Sequence, residues 1–253
     1  MVFRALTILL LWVWGIGVAN EDLRIGDSCY SLRAEKANGD KADTNNVKKM
    51  IQAYERAFAA ADTLIQEKAA EGLLKSYYFM LRFASPEKDK RKDVLNEVTL
   101  LSEKIHSLYP NNRNITKIYI VILSMWGAET NPLIAVKQGV AKKVRDLADS
   151  IQDYQILGRS HQILPYIPII LSWPDKKLAE KYLKMSLEQD SKDPYNYFFL
   201  SELRFDQGLY DEAEKIMQAG LDLGVRTDFF LEDKRGRWHL KELQKKVRNK
   251  KRR

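Results

Sequence analysis

Leu178-Ala179-Glu180-Lys181-Tyr182-Leu183 and Glu212-Ala213-Glu214-Lys215-Ile216-Met217 stand 34 residues apart, and this pair of stretches decides the fold. Across that offset Ala179 and Ala213, Glu180 and Glu214, Lys181 and Lys215, and Leu187 and Leu221 are identical. A period of this size accommodates two short helices and their turns. One such hairpin is too thin to bury its own apolar face, so neighbouring hairpins must stack. The segment 194–227 shows the layout most fully. Tyr197, Leu200 and Ser201 fall on a first helix, Gly208 and Tyr210 at a turn, and Ala213, Met217, Gly220 and Leu221 on a second. Small residues at Ser201, Ala213 and Gly220 let helix axes approach, while the large ones fill the ridges beside them.

The spacing and these positions resemble the tetratricopeptide repeat, most clearly over 174–227, with Arg204 and Val225 departing from its usual aromatic and proline. Fainter second-helix echoes lie at 51–58 and 102–110. The competing reading is an unrelated helical bundle with chance spacing. The resemblance implies an all-α fold, a tetratricopeptide-like right-handed superhelix of antiparallel helix pairs with a C-terminal capping helix.

Outward from the repeat, helix starts are marked by a capping side chain followed by proline: Ser85-Pro86, Asn131-Pro132 and Asp193-Pro194. Gly39, Gly127, Gly208 and Gly224 stand where periodic patterns stop. Val136, Val140, Val144, Leu147 and Ile151 recur at steps of three and four, one apolar stripe. The β-branched run 118–126 has strand character, but a lone strand amid helices would leave backbone groups unpaired, so it is assigned to a helix. The pattern predicts five pairs: 22–38 with 44–62, 63–84 with 86–109, 112–127 with 132–152, 154–164 with 174–189, and 194–207 with 209–223. A closing helix follows over 228–248.

Composition excludes other classes. In 253 residues, Gly 12 and Pro 7 supply too few turns for a β-sandwich. The hydrophobic fraction of 45 % and charged fraction of 30 % belong to a globular chain rather than a polytopic membrane protein. The formal net charge is +8. It resides almost wholly at 241–253, which holds eight basic residues and the single acid Glu242. With Arg4 that segment accounts for the whole excess, so the body is neutral and a broad nucleic-acid surface is not supported. The basic tail, 249–253 in particular, either touches anionic lipid or is a solvated end.

Arg4 precedes fifteen uncharged residues, 5–19, with Gly17 and Ala19 at −3 and −1 to a cut before Asn20. That is the layout of a secretory signal peptide over 1–19, an uncleaved anchor being the alternative. The rest, 20–248, reads as one helical domain. Cys29 is the only cysteine. Glu21, Asp22, Arg24 and Asp27 separate it from the apolar run, which favours a half-buried helical thiol over a lipidation site. Asn114-Ile115-Thr116 fits a glycosylation sequon, relevant only in a eukaryotic source.

No catalytic constellation is present: His106, His161 and His239 are isolated, and no metal-binding or phosphate-cradling motif occurs. Ser160 and His161 are helix neighbours about 100° apart and cannot act as a nucleophile–base pair. No enzyme, cofactor or metal is expected. The connector 165–174 carries Pro165, Pro168 and Pro174, which forbid continuous helix. Its apolar side chains either fill the stack or line an apolar cleft with Tyr166 and Trp173. In a tetratricopeptide stack one side of each first helix faces a concave groove; here that side carries Tyr195, Phe198, Glu202 and Phe205, unless these pack beneath the closing helix. Arg159 and His161 join the groove candidates, with satisfaction of their own helix end as the competing role.

Over about 130–240 the resemblance sharpens. Leu157-Gly158-Arg159, Leu164-Pro165 with Pro168, Trp173-Pro174-Asp175-Lys176-Lys177, the Ala179 helix and Phe199-Leu200-Ser201-Glu202-Leu203 follow in order. This run is similar to the extracytoplasmic tetratricopeptide component of TRAP-type (tripartite ATP-independent periplasmic) transporters. The similarity implies an exported, non-enzymatic binding or adaptor protein, periplasmic or associated with the outer envelope. As a transport accessory it would dock a solute-binding subunit or hold an apolar small ligand. The alternatives are a generic envelope scaffold for protein–protein interaction and a membrane-associated protein held by its N-terminal segment.

Overall fold

The computed structural model describes residues 19–59, 63–84 and 88–252. The signal-peptide reading, but for Ala19, and the Ser85-Pro86 start lie outside them. Every named element among the described residues is a helix, and they hold no β-strand, only two isolated bridges. Among them no helix is long and apolar enough to cross a membrane. They form two compact units, one ending at Glu129 and one beginning at Thr130.

The first unit comprises α1 (19–31), α2 (Thr44–Phe58), α3 (Thr63–Phe83), α4 (Lys88–Leu108) and α5 (Arg113–Glu129). Asp43 caps α2, accepting from the amides of Asn45 and Asn46. The pairing differs from the expected one. Helix α3 takes α2 and α5 as its main neighbours, and α4 lies along α5 rather than closing a hairpin with α3. The reason is where the apolar faces fall. Leu81, Leu95, Val98 and Ile122 make one core across α3, α4 and α5, and Ala19, Ala57, Ile65 and Ala69 another across α1, α2 and α3. The run 118–126 is helical within α5, which passes through Gly127 without stopping. Cys29 is half-buried and unpaired on α1.

The second unit contains α6 (Pro132–Lys137), α7 (Val140–Ser150), α8 (Tyr154–Ile163), α9 (Lys176–Gln189), α10 (Pro194–Asp206), α11 (Tyr210–Asp222) and α12 (Phe230–Lys251). Asn131 and Asp193 cap α6 and α10 as expected, their side chains accepting from Leu133 and Tyr195 amides. The expected single helix 132–152 is broken at Gly139, whose φ of +64° is left-handed, so Val136 is exposed while Val140 and Val144 are buried. Helix α8 packs along α9 and α10 along α11, and α12 covers both α10 and α11. The small residues at the helix contacts are inside: Ala179, Ser201 and Ala213 are completely buried. A Cβ on Gly220 would stand 2.6 Å from Cβ of Tyr197, and one on Gly158 2.9 Å from the backbone nitrogen of Leu183. Those distances are too short for any side chain, so both glycines are required by close helix approach.

Candidate functional site

The candidate residues lie on α8, α10 and the connector between α8 and α9. Helix α8 ends at Ile163, before the prolines, so the connector joins the two helices of a pair. Asp175 ends it by capping α9, accepting from the amides of Lys177 and Leu178.

The structure separates the two aromatic residues proposed to line a connector cleft. Tyr166 is exposed, whereas Trp173 turns inward against His161, ring centroids 5.0 Å apart and edge to face. The guanidinium of Arg145 lies 5.0 Å from the Trp173 ring centroid on the same cluster, and Tyr182 stacks on Tyr154 beside it. The buried indole Nε1 of Trp173 has no hydrogen-bond partner. His161 accepts a hydrogen bond at Nδ1 from the Asp175 amide, 3.1 Å, which ties the end of α8 to the start of α9. Burial lowers its pKa, with Arg145 adding to the effect and Asp175 opposing it. His161 is therefore a neutral structural acceptor whose stabilising contact is present above the ordinary imidazole range and weakens as pH falls below it.

The aromatic residues assigned to an open groove are instead packed under the closing helix. Phe198 belongs to one core with Met217, Leu240, Leu243 and Val247, and Tyr195 and Phe205 pack against it. His239 of α12 stacks on Phe198 at 4.9 Å. What stays at the surface is polar. Arg159 of α8 bonds Glu202 of α10, and its guanidinium lies 4.7 Å from the Phe199 ring centroid. Gln162 accepts from Arg159 at 3.0 Å, and the Lys176 ammonium reaches the Gln162 carbonyl. This half-exposed patch sets a charged pair against a planar ring; it holds no nucleophile beside a base. Among the described residues no group of three His, Cys, Asp or Glu side chains gathers to hold a metal.

Two linking residues escape a reading by period. Buried Asn196 donates to the carbonyls of Ser186 and Asp190 and accepts from Ser186 Oγ and Gln155, joining α8, α9 and α10. Arg204, which replaces the usual aromatic, forks onto Glu180 of α9 at 2.7 and 2.9 Å. Its departure from the repeat pattern was the available signal. Hydrogen bonds from Arg204 and Lys184 hold the Glu180 carboxyl down at about 2. A lowered carboxylate stabilises the fold above its unfolded value and loses that contribution as pH falls through the folded one. Acid titration of unfolding should thus show a decline from the ordinary carboxylate range toward pH 2, on the order of 1 kcal/mol after solvent screening. Glu180→Gln should flatten that decline; an unchanged acid profile would show that the fork adds nothing.

Together these features define an all-α protein whose second unit stacks helix pairs through small buried residues. No protein-family model matches the chain, and no curated protein matches it.

Proposed function

We propose that the chain is an exported, non-enzymatic binding or adaptor protein of tetratricopeptide-like build, acting as a periplasmic accessory of a TRAP-type transporter that docks a solute-binding subunit. The observation that carries the scaffold reading is the burial of Ala179, Ser201 and Ala213 at the helix contacts of successive pairs. Such stacking holds a preformed surface, so a partner loses less freedom on docking. Placement of Phe198 beneath α12 argues for a protein partner over an apolar ligand in that position. The Arg159–Glu202–Phe199 patch is the contact surface this reading uses.

Crosslinking in native envelope followed by co-purification tests it. Recovery of a solute-binding subunit, reduced about tenfold by Arg159→Glu, is expected from loss of a hot-spot arginine. Recovery only of proteins unrelated to transport would replace the transporter reading with that of a general envelope scaffold. Recovery unaffected by Arg159→Glu would remove the patch from the interface.

A further inference from the structure

One end of the second unit brings together an apolar feature that the proposed function does not use and the basic C-terminal segment. At that end lie the α8–α9 connector, the turn between α10 and α11, and the C-terminus of α12. Their common position follows from contacts: Asp175 at the start of α9 bonds His161 at the end of α8, and Arg204 at the end of α10 bonds Glu180 near the start of α9. Lys251 at the end of α12 bonds Asp211 and Glu214 on the first turns of α11, each at 2.6 Å.

The first feature is apolar exposure. The connector folds into a tight turn closed by reciprocal backbone bonds between Ile167 and Leu171. Its tip presents Ile169, 99 % exposed, beside the exposed Ile170 and Tyr166, with exposed Leu209 in the neighbouring turn. Ile169 has φ +69°. Left-handed backbone at a β-branched residue is unfavourable, and glycine would adopt it freely. Neither packing nor backbone preference accounts for an isoleucine there; strain kept at an exposed tip points to a role outside the fold.

The second feature is charge. From Lys245 to Arg252 the chain carries six cations and no acid. Helix α12 extends to Lys251, so this segment is held in place and is not a loose tail. Of these cations Lys245 pairs with Glu242 and Lys251 with Asp211 and Glu214, while Glu212 is engaged by Arg204.

We infer that this end of the second unit docks on an anionic bilayer surface, with Ile169 and Ile170 entering the interface and the last turns of α12 meeting lipid phosphates. Cations and an exposed apolar tip at one end of the unit match a headgroup region, where apolar insertion and attraction to anionic lipid act together. A protein groove would need a complementary acidic pocket around a protruding knob. The inference does not depend on the transporter reading.

Amide hydrogen exchange of the full chain, with phosphatidylglycerol vesicles and with phosphatidylcholine vesicles, tests it. Slower exchange in 164–172 and 245–252 together, on the anionic vesicles only, is expected. The double variant Ile169→Gly, Ile170→Ser removes the apolar tip while relieving the left-handed strain. It should unfold no more easily than the parent yet bind the anionic vesicles at least about tenfold more weakly. Unchanged exchange in both segments on anionic vesicles would overturn the inference. So would vesicle binding by the double variant equal to that of the parent, since attachment would then reside elsewhere in the chain.

Discussion

Replacing Gly72 by alanine should destabilise the first unit by about 2–3 kcal/mol, although the same exchange inside an ordinary helix stabilises by about 0.5–1 kcal/mol. The reversal of sign comes from Tyr54. Its ring occupies the space a Cβ on Gly72 would need, with Cε1 only 2.2 Å and Cζ 2.4 Å from that position. The ring has little room to withdraw. It is 2 % exposed, a Cβ on Gly26 of α1 would likewise stand 2.8 Å from it, and its hydroxyl donates to Asp27 at 2.7 Å. Burial, and the bond to Asp27, raise the phenol pKa well beyond its ordinary value, so the group stays protonated and donating. Denaturant unfolding measures the loss. Shrinking the obstacle with Tyr54→Leu in the Gly72→Ala background should return part of it, because residues in contact are not additive. A Gly72→Ala variant as stable as the parent would mean that Tyr54 is free to move and that α1, α2 and α3 are not locked through it.

That wedge also marks the limit of the sequence. Gly26 and Gly72 stand within helical patterns with no turn signal, and each is needed because of an aromatic ring on another helix. Periodicity reports which face of one helix is buried but carries nothing about a contact shared among three. The second unit was far more legible, because its determinants repeat: Ala179 and Ala213 are 34 residues apart and play the same packing part. Caps at Asn131 and Asp193 were legible for a related reason, since the side chain and the amide it satisfies are two residues apart.

The candidate site was read less well. Aromatic residues on the first helix of a pair suit a groove or a covering helix equally, and only the placement of α12 decides between them. Pro165, Pro168 and Pro174 announced an irregular connector, but prolines specify where a helix cannot run, not which side chains turn outward. Tyr166 and Trp173 therefore diverged, one to solvent and one onto His161. The polar links were hidden for a further reason. Arg159 and Glu202 are 43 residues apart in sequence, and nothing local marks either as the partner of the other.

The same hidden long-range pairing governs the largest effect expected in the second unit, that of Arg226→Leu. Asp233 of α12 is 1 % exposed, and its charge is met chiefly by this arginine. The guanidinium bonds both carboxylate oxygens, Nη2 to Oδ1 at 2.7 Å and Nε to Oδ2 at 3.0 Å, and the Arg226 amide adds a bond of 2.9 Å. Arg226 also reaches Asp190 at 3.3 Å and lies 4.5 Å from the ring centroid of Phe229. Removing one partner of a buried ion pair strands the other charge and typically costs about 3–5 kcal/mol, more than the intact pair contributes. Urea unfolding of Arg226→Leu should show a loss of that order. Adding Asp233→Asn should recover much of it, since the stranded charge is gone. The pH profile supplies an independent check through Asp193, whose pKa burial raises while Arg226 pulls it down. Without the arginine that rise is larger, opposed only by the hydrogen bonds from the Tyr195 amide and Gln155, and a carboxyl whose folded pKa is raised stabilises the fold below its unfolded value and loses this as pH rises. The variant should therefore regain stability on acidification from neutral pH toward the ordinary carboxylate range, where the parent changes less. A flat profile with full stability would mean that α12 does not depend on this pairing, and that its apolar contacts with Phe198 and Met217 alone hold it over α10 and α11.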